Sequence, residues 1–142
     1  MKIRNIIAVI VGVIVSVIII IIGEALVHIM NPQIDIKDPE AFKAFISNAP
    51  VSLHIMILLI YALACFLGAL ISASIAIDKK MSKAMSLGGL IMGIGMFSLV
   101  SVSHPMWVVI VSVFIFLPFA YWGGMLSLKM SGKKKKENNS HK

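Results

Sequence analysis

The chain predicts an all-α membrane protein, a four-helix transmembrane bundle with a short interfacial helix in its first outer loop. Three observations carry this. The 142 residues are 59% hydrophobic and only 13% charged, with a mean hydropathy of +0.99, far outside the range of soluble domains. Four stretches, 5–23, 55–77, 84–103 and 105–128, lack any charged side chain, and each is close to the roughly 20 apolar residues that one helical crossing needs. No alternation of the kind a membrane barrel strand requires is visible, and an unpaired strand would leave its backbone groups unsatisfied in lipid. Lipid must cover such helices, because nothing on them is fit for water.

With their flanks the spans run over about 5–29, 51–77, 84–103 and 105–128, and together they make one domain over 1–130. The first starts behind Lys2 and Arg4, so a cleavable signal peptide ending near Gly23-Glu24-Ala25 is its rival reading. The run is longer than a signal core, and its removal would put the two lysine-rich ends on opposite sides. Between spans one and two lies the only substantial loop, punctuated by Pro32, Pro39 and Pro50. Asp38 is placed to cap a short helix over about 39–47 with Pro39 and Glu40 in its first turn. Phe42, Phe45 and Ile46 then share one face, which suits an interfacial helix or a lid. The other connections, DKKMSK and Ser103-His104-Pro105, are short enough to make successive spans antiparallel neighbours.

An even number of spans puts both termini on one side. That side carries Lys2, Arg4, Lys79, Lys80, Lys83, Lys129, Lys133 to Lys136 and Lys142, whereas Lys37 and Lys43 fall opposite. The asymmetry predicts cytoplasmic termini in a cell inner membrane. Trp107 then marks the outer interface and Tyr121 with Trp122 the inner one. The net charge of +7 is thus topological and calls for no nucleic acid. Residues 131–142 read as a basic disordered tail, with Lys133 to Lys136 available to anionic headgroups. Cys65, the single cysteine, falls mid-span, where it has no disulfide partner and reads as packing.

Small residues indicate where helices meet, because lipid gives one apolar helix no reason to prefer another. Ala64, Gly68, Ser72 and Ala76 recur every four residues in span two. Gly89 and Gly93 form GxxxG in span three, beside Gly88 and Gly95, and Ala120 and Gly124 repeat the spacing in span four. These stripes predict a tight pairing of spans two and three. Met85, Met92 and Met96 line one side of span three as flexible filler, and Pro118 removes a helical hydrogen bond in span four.

Against this background Glu24 stands out as the only acidic side chain on a span. Counted at 1.5 Å per residue from Arg4 it lies about 30 Å on, at the outer edge of the hydrocarbon. His28 is one turn further, His54 opens span two from the same side, and His104 sits in the outer turn. Every histidine except His141 therefore converges on one surface. Ionisable groups at such depth mark ion, proton or substrate sites, so Glu24, His28, His54 and His104 are proton or substrate candidates. The same four could also hold a divalent metal as a zinc-like set, although no compact motif such as HExxH is present. The bland reading is an ordinary i to i+4 pair with interfacial imidazoles.

Glu24 and His28 leaving the first span, "DPEAF" in the loop and "SHPMW" opening the last span resemble small four-span bacterial integral membrane proteins of no assigned activity. The resemblance covers most of the chain and implies the four-span fold alone. On function, the lack of a nucleophile with its base, a carboxylate pair or a phosphate loop argues against an enzyme. The expectation is an accessory or assembly component of a membrane complex without catalysis of its own. The alternative is an oligomeric transporter or permeation subunit with a proton, cation or substrate site around Glu24. Its partners would be the lipid bilayer and further copies of itself or another membrane protein.

Overall fold

A computed structural model describes residues 2–30 and 37–140, with side chains for 3–30 and 37–133. Five helices follow in order: α1 (Lys2–Met30), α2 (Pro39–Asn48), α3 (Val51–Ile75), α4 (Lys80–Ser101) and α5 (Met106–Ser140). The described residues contain no strand. Four of the helices, α1, α3, α4 and α5, are long and apolar enough to cross a membrane. The molecule is a multi-pass membrane protein built as a helical bundle.

The short elements follow from local chemistry. Asp38 accepts hydrogen bonds from the Glu40 and Ala41 amides at 3.0 and 3.2 Å and so caps α2, with Pro39 at the first helical position, where its missing N–H costs nothing. Phe42, Phe45 and Ile46 turn toward the bundle core, and Ile46 is buried. The α4–α5 turn is a left-handed helix stop. Ser103, at φ 62°, lets its own amide reach Val100 O and the His104 amide reach Leu99 O, and Pro105 follows to prevent continuation. At the other end α5 runs on through Ser140, where a disordered tail from 131 was expected. Lys133 to Lys136 and Glu137 are good helix formers and carry the helix past Gly132. The expected headgroup contacts of Lys133 to Lys136 concern side chains that, beyond Lys133, lie outside the described residues. His141 lies outside them too.

Packing departs from the expected pairing of spans two and three. Helix α3 is central, packing its backbone against α1, α4 and α5, while among the described residues α1 packs closely against α3 and α4. The Ala64, Gly68, Ser72, Ala76 stripe is buried but faces α1. A Cβ on Gly68 would collide with Ser16 Oγ and lie 2.8 Å from Gly12 O, and one on Gly12 would lie 2.8 Å from Gly68 O. The matching stripe on α1 is Ala8, Gly12 and Ser16, all buried. Ser16 Oγ donates to Ala64 O at 2.9 Å and lies 3.0 Å from Gly12 O, fixing the crossing with a hydrogen bond inside an apolar seam.

On α4 the GxxxG pair is on the wrong side for this role. Gly89 and Gly93 face open space, and it is Gly88 and Gly95 that meet Ala120 and Phe116 of α5. On α5, Ala120 meets Gly88 and Gly124 approaches Ala84 of α4, while neighbouring Gly123 fits against the backbone of Phe66 and Leu70 in α3. Two adjacent glycines thus let α5 touch two helices at once. Cys65 is buried and donates to Phe116 O at 3.2 Å, a packing role. The outer faces of α1, with Ile6, Ile10, Ile14 and Ile18 exposed, are left for acyl chains.

Candidate functional site at the lysine-poor end

The ends of α1 and α4, the first half of α3 and the apolar face of α2 enclose a cavity of about 420 Å³. Its walls are mainly Ile21, Val27, Phe42, Ile46, Ile57 and Val102, and its polar groups are Glu24, His28, Tyr61, Ser98 and His104. Glu24 and Ala25 are exposed, whereas Val27, Ile46, Ile57 and Tyr61 are buried. The cavity therefore opens at α1 and ends against α3. The α2 helix contributes side chains to it, so the loop between spans one and two is part of the site.

Three of the four residues singled out from the sequence, Glu24, His28 and His104, line this one cavity. His54 does not, being 1% exposed behind it. Its ring meets that of His104 edge to face, with centroids 5.7 Å apart, and lies 5.7 Å from that of Trp107. Each of these two histidines directs Nδ1 at a backbone carbonyl, His54 at Pro50 O and His104 at Leu99 O, both at 3.2 Å. A carbonyl only accepts, so both rings carry a proton on Nδ1. Neither Nε2 has a hydrogen-bond partner among the described residues, and neither does Nδ1 of His28. Burial pushes the His104 imidazole below its ordinary value, with the Leu99 carbonyl opposing and His54 adding to the shift, which keeps that ring neutral near pH 7.

The hydrogen-bond partner of Glu24 is one that sequence reasoning missed. Tyr61 Oη donates to Glu24 Oε1 at 3.2 Å, and no ion pair joins Glu24 to His28 among the described residues. Tyr61 is buried at 3% exposure, and its ring rests on that of Phe116, with centroids 5.9 Å apart. A tyrosine nearly three turns into a mostly apolar span was the available signal, since a buried phenol needs a partner.

Among the described residues no three His, Cys, Asp or Glu side chains gather as a metal site requires. Glu24 is engaged by Tyr61 and His54 sits outside the cavity, so the four residues do not converge on a point. What the arrangement offers is a greasy chamber with one carboxylate on α1 and further polar groups contributed by α1, α3, α4 and the α4–α5 turn. No family model, curated protein or solved structure matches the chain.

Proposed function

We propose that the protein is a small-molecule binding or permeation subunit that takes an amphipathic compound into the cavity beside Glu24. The observation that supports this reading is the cavity itself: about 420 Å³, apolar walls and a few polar groups among them, within the size and character of ligand sites. In lipid a carboxylate without a cation is costly, and its retention at the mouth of a chamber is accounted for by a ligand. The test is saturable binding of a neutral amphiphile, acetylated dansylcadaverine, to the purified protein in nanodiscs. Binding is expected for wild type and lost in Ala25→Trp, which fills the mouth from an exposed position. Failure of the probe to saturate, or equal binding by the variant, retires the reading.

For topology we propose a cell inner membrane with both termini cytoplasmic, since the cations crowd the ends of the bundle away from the cavity. In a Cys65→Ala background, cysteines placed at Glu40 and Gly132 are expected to react with an impermeant thiol reagent from opposite sides of sealed cells. Reaction of both from outside contradicts this topology.

The accessory-component reading retains one specific support, the outward-facing Gly89 and Gly93, which suit a further helix from a second copy or another membrane protein. Loss of a co-purifying partner or oligomer on Gly93→Leu would favour it.

A further inference from the structure

Resting on the cavity as a binding site, we infer that its ligand is a hydrophobic primary amine, held by its ammonium head against Glu24 and by its tail in the apolar chamber. The inference starts from the charge balance. Glu24 brings the one carboxylate of the cavity wall among the described residues, no Lys or Arg lines that wall, and His28 beside it makes no ion pair with Glu24, so a cationic ligand head complements Glu24. Tyr61 already donates its only proton to Glu24, and its phenol oxygen, beside the Ser98 hydroxyl, acts as an acceptor. His104 has its Nδ1 proton committed to Leu99 O and a lone pair on a buried Nε2 that finds no partner among the described residues. Carboxylate, phenol oxygen and neutral imidazole are all acceptors.

The complement to such a set is a head with several N–H donors and a positive charge. A primary ammonium has three, and a quaternary ammonium has none. Anionic heads are opposed by Glu24, and a hydroxyl offers one donor and no charge. Beyond the head, Ile57, Ile46 and Phe42 make walls that an alkyl or aromatic tail desolvates favourably. The same head chemistry occurs in free hydrophobic amines and in lipids bearing an ethanolamine headgroup, and the opening at exposed Glu24 and Ala25 admits either from the membrane surface.

The experiment compares dansylcadaverine, which bears a primary ammonium, with its acetylated form in phosphatidylcholine nanodiscs. Hydrogen bonds to charged groups are worth about 1.5–3 kcal/mol, so the ammonium probe is expected to bind about tenfold or more tightly. Glu24→Gln, which keeps shape and removes charge, is expected to erase that preference and leave the acetylated probe unaffected. Equal affinity of the two probes for wild type, or a preference that survives Glu24→Gln, overturns the amine assignment while the binding reading stands. Absence of saturation with both probes overturns both. Adding phosphatidylethanolamine separates the sources: displacement of the probe assigns a lipid headgroup, and unchanged binding assigns a free amine.

Discussion

Gly68→Leu is expected to part α1 from α3 and to cost about 3 kcal/mol or more, at the upper end of what forced overpacking does. The reason is the identity of what surrounds the glycine. A Cβ there would run into Ser16 Oγ and the Gly12 carbonyl, and a backbone oxygen cannot rotate out of the way as a flexible side-chain end can. The collision also breaks the Ser16 to Ala64 hydrogen bond, which removes the polar link between α1 and α3 from a low-dielectric seam and leaves Ser16 only its own-helix acceptor, Gly12 O. Because the backbone packing of α1 among the described residues is against α3 and α4, mostly α3, losing this crossing frees most of the first helix and with it the Glu24 wall of the cavity. Gly93→Leu supplies the contrast. Its Cβ meets nothing within 4 Å, so the change is expected to stay within about 0.5 kcal/mol. Thermal unfolding of both variants in one detergent measures the difference, and a Gly68→Leu protein as stable as wild type would sink the account of the seam.

Phe116→Ala is expected to cost about 3–5 kcal/mol, the range for deleting a fully buried aromatic ring. Phe116 is 0% exposed and the largest of the fully buried side chains. It fills the space that Gly95 leaves open on α4, and its ring supports Tyr61. The effect therefore reaches the site: without the ring Tyr61 can turn away from Glu24, and preference for a cationic ligand should weaken along with stability. Phe116→Leu, which keeps most of the volume, is expected to recover the larger part of both. Reversible unfolding in mixed micelles gives the first quantity and probe binding the second. Stability unchanged in Phe116→Ala would mean that the α3–α4–α5 contact is not the core of the bundle.

The expectations drawn from residues alone succeeded where a single helix decides the matter. Asp38 with Pro39 announced α2, because a cap and a first-turn proline act within one turn. Hydropathy announced the four spans, because lipid tests each helix separately. Glu24, His28 and His104 were placed at one end by counting residues and reversing direction at each span, and they do line one cavity. His54 shares their end of the bundle and stands outside the chamber, since the same count carries no information on which way a side chain points.

By itself the sequence determined the number of crossings, the short capped helix and the end of the bundle at which the ionisable groups collect. Each is a property of one segment measured against water or lipid. Only the tertiary structure decided that the span-two stripe meets Gly12 and Ser16 rather than α4, that Gly89 and Gly93 look outward, and that Tyr61 is the residue holding Glu24. The physical reason is that a membrane helix is apolar on every side, so its hydropathy does not distinguish the face toward lipid from the face toward a neighbour. Small residues say where a close approach is allowed; which helix makes it is settled by the fit of all four together, and the cavity is what that fit leaves unfilled.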